Sequence, residues 1–367
     1  MQAVPLPLTI IFFYAKMAPI MEHERSWKEL RAVTKEKSRV TLQNIADVTG
    51  YTVNTVSRAL KNKDDISRET CEKIQQVARE MGYVRNYIAS SLRSGRTKTI
   101  AMISGSMMNP YYAILCDLIQ REAVRLGYGL MILCSQDDPD TETKMVEMAL
   151  SRQVDGVLIT PCSFESPALG LLRSSGLPFV LLSRYLEGEK DDCVLCDDRQ
   201  GGYLAGRHLI EQGHRNLAMI SFHHVVFSTR KRFEGFQQAC LEAGISAGSI
   251  HYAEPENDGK ALRQAKEWIG QGVTGLFSFC DVEAWCLITM LENSGLRIGR
   301  DLSVIGFDNI LGYMNFPKPI CSIECHLQDE ACTAIDLLRK RIHDSSLPPQ
   351  QVMLPVSLVC RDTCRIP

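Results

Sequence analysis

From Thr99 onward the chain repeats one pattern, a short apolar run followed by an amphipathic helical stretch, and this alternation restricts the fold more than any other feature. TIAMISG, GLMILCS, VDGVLIT, PFVLLS and CVLCDD read as strands, with helical spacing at 110–126, 141–153 and 167–175 between the first four. Strands that stay apolar without alternation are buried on both faces, which implies a parallel sheet covered by helices. A second round begins after Asp198, with helix 201–212, strand NLAMISF, helices 230–243 and 259–271, strand GLFSF, helix 283–295 and strand LSVIGFD. The last helix, 329–343, and the segment 351–359 are expected to return and complete the sheets. The fold class is therefore α/β, with subdomains of about residues 98–197 plus 326–350 and about 198–325 plus 351–367.

A small helical unit precedes this core. In VTLQNIADVTGYTVNTVSRAL, from Val40 to Leu60, Thr41 suits an N-cap and Leu42, Ile45, Ala46 and Val48 recur at helical spacing until Gly50 interrupts them. Thr52 caps a second helix, on which Val56, Ala59 and Leu60 share one face while Val53, Asn54, Ser57 and Arg58 project from the other. A third helix is expected over Ser67–Met81, with Ile74, Val77, Ala78 and Met81 as its apolar stripe and Gly82 as its stop. The polar arc of the second helix suits DNA: Asn pairs with adenine, Arg with guanine, Ser and Thr with phosphate or base, and Val with a thymine methyl. Taken alone, the same pattern also describes an ordinary helical hairpin with a solvated face. Charge favours the first reading, since Arg39–Lys98 carries 11 Lys and Arg against 6 Asp and Glu in a chain of net charge −2.

VTLQNIADVTG, TVSRAL, the ISRETCEKI helix, GYVRN and SLRSGRTKTI together resemble the headpiece of the lac repressor/galactose repressor (LacI/GalR) family, and the similarity covers almost all of the chain beyond about residue 39. The resemblance implies a three-helix helix-turn-helix headpiece at 39–85, a hinge helix at 86–97, and a core at 98–367 built from two subdomains like a periplasmic binding protein. It implies a cytoplasmic, sequence-specific DNA-binding transcriptional regulator, a repressor, that meets a pseudo-palindromic double-stranded operator as a homodimer. Thr41, Thr52, Val53, Asn54, Thr55, Ser57 and Arg58 of the headpiece and Asn86, Ala89, Leu92 and Arg93 of the hinge are then the DNA-binding set. Leu92 matches the residue that wedges into the central base step, which exchanges unstacking for bent DNA with more contact. Arg85 stands where family members usually have proline, so the hinge entry keeps an amide proton and gains a charge.

The resemblance also implies a small effector, a sugar or sugar derivative, between the two subdomains. Open parallel sheets bind ligands beyond the carboxyl ends of their strands. Those ends supply Tyr111, Asp138, Ser183, Arg184 and Asp281, and the positions matching family pocket residues are Ser228, Arg232, Cys280 and Asp308. Arg offers several donors and Asp can accept from two hydroxyls, which suits a polyol. Each of these types also serves as a helix cap or structural ion pair, and Asp155 in VDGV is read that way. Cys280 replaces an asparagine common in the family, and a thiol is a weak hydrogen-bond partner. The alternative is a core that answers to a protein partner, as in catabolite-control members.

Other classes find little support. GxSxG, HExxH, GxxxxGK[ST] and a helix-opening GxGxxG are all missing, so neither catalytic residues nor a cofactor are expected. The 14 cysteines are scattered through apolar segments and read as reduced, and the CxxC at Cys193–Cys196 falls in a strand whose alternation points the two thiols apart, so no metal is expected. Residues 1–38 read as an extension, disordered or translated from an upstream start; its apolar run is interrupted by prolines and too short to span a bilayer. CRDTCRIP carries no leucine heptad, which leaves a dimer as the expected assembly.

Overall fold

The computed structural model describes residues 40–84, 95–163, 166–184, 190–221, 227–315 and 318–364. The chain divides into two compact units, Met1–Asn86 and Tyr87–Pro367. In the first, helices α1 (Leu42–Thr49), α2 (Val53–Ala59) and α3 (Arg68–Glu80) enclose Ile45, Val56, Ala59 and Ile74, all fully buried. Val48 is exposed, because Ile45, Ala46 and Thr49 already supply the inward face of α1.

The second unit holds two six-stranded sheets. The first comprises β1 (Thr99–Ser104), β2 (Gly129–Cys134), β3 (Gly156–Ile159), β4 (Phe179–Leu182), β5 (Cys193–Cys196) and β11 (Gln351–Leu354), in the order β11-β5-β4-β3-β1-β2 and parallel throughout. Helices α4 (Pro110–Arg125) and α11 (Leu327–His343) bury Leu115, Ile119, Ala331 and Leu338 in one core cluster, and α5 (Pro139–Ser151) and α6 (Pro167–Ser175) bury Val146, Ala149, Leu169 and Leu172 in another. Asp155 receives the Thr97 and Lys98 amides at 2.7 and 3.1 Å, a purely structural task.

The second sheet, ordered β12-β10-β9-β8-β6-β7, comprises β6 (Leu217–Ile220), β7 (Ile250–Ala253), β8 (Gly275–Ser278), β9 (Ser303–Asp308), β10 (Cys321–Glu324) and β12 (Ser357–Val359). Only β12 runs antiparallel to its neighbour. Its helices are α7 (Asp198–Glu211), α8 (Phe227–Glu242), α9 (Asp258–Gly270) and α10 (Asp281–Glu292). The chain passes between the sheets after β5, after β10 and after β11.

The last passage corrects the sequence-based division, which gave all of 351–367 to the second subdomain. Pro355 splits the segment, so Gln351–Leu354 pairs with β5 in the first sheet and only Ser357–Val359 joins β10 in the second. A proline has no amide to continue a ladder, so a strand ends there.

Helices α7 and α8 meet at backbone contact. A Cβ on Gly202 would overlap the Arg232 carbonyl, and one on Gly235 would overlap the Arg199 carbonyl. Gly235→Ala is therefore expected to push the helices apart and destabilise the chain by an amount near the top of the usual ~1–3 kcal/mol range for overpacking. An unchanged urea midpoint would show that the helices separate freely.

Candidate nucleic-acid interface and ligand cleft

The local chemistry of the headpiece fixes α1 and α2 at both ends. Thr41 Oγ1 accepts from the Asn44 amide at 3.3 Å while Asn44 Oδ1 accepts from the Thr41 amide at 2.9 Å, a reciprocal cap. Gly50 closes α1 at φ 75°, a left-handed turn that glycine adopts without strain. Thr52 then caps α2 through the Thr55 amide at 3.2 Å and also contacts the Thr55 hydroxyl at 2.9 Å. Gln75 of α3 donates to the Ala59 carbonyl at 3.1 Å and to Asn62 Oδ1 at 2.6 Å, which holds the end of α2.

The DNA-reading residues expected from the sequence fall into distinct settings. Val53 and Asn54 are exposed, Thr55, Ser57 and Arg58 are half-buried, and Thr41 and Thr52 are occupied as caps. Arg58 is ion-paired with Asp65, an interaction the sequence reading missed because the two lie on opposite sides of a turn. Asn86, Ala89, Leu92 and Arg93 lie outside the described residues, as does Arg85.

In the core, a cleft of about 270 Å³ opens where the loops after β1, β2 and β4 face the loop after β8. One wall carries Asn109, Tyr112, Asp137 and Arg184; the other carries Phe279, Cys280, Val282 and Glu283. Arg184 organises the first wall, with Nη1 3.0 Å from Asp137 Oδ1 and 3.1 Å from the Pro161 carbonyl and Nη2 2.9 Å from the Tyr112 hydroxyl. Burial pushes the Tyr112 hydroxyl up to about 12, so it stays neutral beside the guanidinium. Asp137 and the preceding Gln136 both have left-handed φ, 53° and 56°. Asp137 packs so close to Gly105 that a Cβ there would lie 2.6 Å from its Oδ2.

Of the core residues expected around an effector, Arg184 and Cys280 line this cleft and the others do not. Asp138 caps α5 by accepting from the Thr141 amide and hydroxyl at 2.7 and 2.6 Å; its neighbour Asp137 is the one that faces Arg184. The DPDT sequence carries that cap signal, with proline at the first helical position. Tyr111 is buried, its hydroxyl 2.6 Å from Ser183 Oγ and 3.2 Å from Glu330 Oε2, and Ser183 donates to the other Glu330 oxygen at 2.8 Å. Burial raises the Glu330 carboxyl to about 7. Asp281 is fully buried and accepts from Ser322 Oγ at 2.6 Å and the Ile310 amide at 2.9 Å.

Ser228 is buried in the first turn of α8. Arg232 is also enclosed: its Nε lies 2.7 Å from Asp198, its Nη1 2.5 Å from the Phe279 carbonyl, and its guanidinium carbon 3.4 Å from the centre of the Phe307 ring. Burial opposes that charge, but Asp198 and Asp308 outweigh it and hold the guanidinium protonated. Burial pushes the Asp308 carboxyl well above its usual range.

Residues 41–86 match the description of bacterial regulatory proteins of the lacI family, and residues 207–364 match a periplasmic binding protein-like domain. The HTH-type transcriptional regulator DegA of Bacillus subtilis is 30% identical over 333 residues, which covers 88% of this chain and 97% of DegA. The chain belongs to the lacI family. A second relative, the HTH-type transcriptional repressor PurR of Photobacterium profundum, is 28% identical over 329 residues, 89% of this chain and 98% of the repressor. Among solved structures, the lacI-family regulator of Enterococcus faecium with bound ribose superposes with a TM-score of 0.65 at 25% identity, over 73% of this chain and 99% of that one. The lac repressor dimer bound to operator and the anti-inducer ONPF gives 0.77 at 22% identity, over 89% and 99%, and establishes the shared fold. This lacI-family regulator therefore pairs a DNA-binding helix-turn-helix with a periplasmic-binding-protein-like core of parallel sheets. No helix among the described residues is long and apolar enough to cross a membrane.

Proposed function

We propose that this regulator is a repressor whose homodimer binds a pseudo-palindromic duplex operator and whose affinity is set by a small ligand in the core cleft. The observation that carries the reading is the doubly capped α1–turn–α2 pair with Val53 and Asn54 on its exposed face. A short helix with fixed ends and a free polar arc can enter a major groove without rearrangement. The ligand is one with a polar edge and an apolar face, since Asp137, Arg184 and Tyr112 lie opposite Phe279, Cys280 and Val282. A sugar derivative has that character, and ribose and cellobiose, bound by structural relatives, are the first probes.

The test is fluorescence anisotropy with operator and random duplexes. Asn54→Ala is expected to weaken binding by about 1–3 kcal/mol at particular base pairs and little elsewhere. Asp65→Asn releases Arg58 and removes a negative charge, so it should strengthen binding to both duplexes. Equal loss on operator and random DNA for Asn54→Ala would remove it from base readout. The thiol of Cys280 on the cleft wall favours a second reading, a core that answers to a protein partner. A wild-type protein unresponsive to sugars yet shifted by a phosphocarrier protein would favour it.

A further inference from the structure

One histidine and three cysteines that the regulator's proposed function leaves unused converge at the edge of the second sheet. His208 lies in the last turn of α7, Cys321 opens β10, and Cys360 and Cys364 follow β12 in CRDTC. A ring nitrogen of His208 and the Sγ atoms of Cys321 and Cys364 all lie within 4.8 Å of one another. Cys360 Sγ is 4.0 Å from His208 Nδ1, on the solvent side. His208 Nε2 is buried and lacks a hydrogen-bond partner among the described residues, which an ordinary packed histidine avoids.

We propose that His208, Cys321 and Cys364 bind one zinc ion, with water in the fourth position, which clips the C-terminal segment to α7 and β10. Zinc–sulfur and zinc–nitrogen bonds of about 2.3 and 2.0 Å in a tetrahedron place ligand atoms roughly 3.5–3.8 Å apart, so the cluster closes on a metal with shifts of about 1 Å. The donor set is nitrogen and sulfur without carboxylate, which selects against calcium and magnesium.

As thiols, Cys321 and Cys364 donate to the Arg361 and Val304 carbonyls at 3.0 and 3.3 Å, bonds that metal binding would replace. The Arg361 amide donates to Cys321 Sγ at 3.0 Å, a contact that suits a thiolate ligand. Thr363 fixes the loop by accepting from the Cys321 amide and donating to the Val304 carbonyl, both at 2.8 Å. Chain spacing carries no sign of this site because its ligands come from three distant places, and the CxxC at Cys193–Cys196 lies buried in β5.

The full-length chain, purified under reducing conditions without chelator, is expected to carry roughly one zinc by elemental analysis. Replacing zinc with cobalt should give the intense thiolate charge-transfer band and visible bands of a tetrahedral site. Cys360→Ser should keep both the metal and the intensity of the charge-transfer band, because Cys360 lies outside the cluster. Cys321→Ser and His208→Asn should lose most of it, and circular dichroism reports whether each variant is folded. A wild-type chain with free thiols and no cobalt–thiolate band overturns the proposal. So does a Cys321–Cys364 disulfide whose reduction yields no metal binding.

Discussion

Arg232→Ala is expected to lower the stability of the core by about 3–5 kcal/mol, the range for removing one partner of a buried ion pair. The side chains of Arg232 and Asp198 are only 8% and 12% exposed, so deleting the guanidinium strands a carboxylate without water. The Phe279 carbonyl loses its donor and the Phe307 ring loses the cation stacked on it. The family resemblance gave Arg232 a place against the effector, but here its donors are engaged inside the second subdomain. Urea denaturation separates the two roles. A fall in the midpoint at constant slope, largely recovered in the double variant Arg232→Met with Asp198→Leu, supports the structural role, because a buried pair replaced by apolar groups of similar volume is close to neutral. A midpoint equal to wild type with loss of ligand response would return Arg232 to the effector site.

The same contrast marks how much the sequence reveals. Period and caps were enough for the three headpiece helices, because each has an N-cap residue beside an apolar stripe. Parallel strands were legible where both faces are buried, as in β3, β6 and β8. The edge strand Ile250–Ala253 was not, since its IHYA residues are only half-buried and carry no apolar run. Cys321–Glu324 hid for a related reason: a four-residue CSIE segment has too few apolar side chains to signal a central strand.

At the cleft, the strand ends were located correctly but the orientation of adjacent residues was not. Tyr111 and Tyr112 differ by about 100° around their helix, and only tertiary packing decides which meets Arg184 and which meets Glu330. Asp137 and Asp138 are likewise divided between the cleft and a helix cap, although the following proline and Thr141 could have assigned the cap.

The second large effect concerns coupling between ligand and operator. Arg184→Ala is expected to leave operator affinity without ligand close to wild type while abolishing the response to a cleft ligand. Arg184 holds Asp137 and Tyr112 on one wall, so its loss dissolves the polar half of the site and leaves the apolar half. A ligand shifts a two-state protein only by its difference in affinity for the two forms, and contacts drawn from both subdomains are what make that difference. Coupling of about 1–3 kcal/mol corresponds to a roughly 5–150-fold change in operator affinity, all of which should vanish in the variant. Cys280→Asn supplies the complementary experiment on the opposite wall. An amide both donates and accepts where the thiol does neither well, so if the ligand is hydroxylated its binding should tighten by about 1 kcal/mol, some fivefold. Titration of wild type and both variants with ribose and cellobiose, read by operator anisotropy, decides the matter. An Arg184→Ala protein that still responds fully would place the effector elsewhere, and a Cys280→Asn protein that binds neither sugar more tightly would mean that the ligand presents an apolar face to that wall.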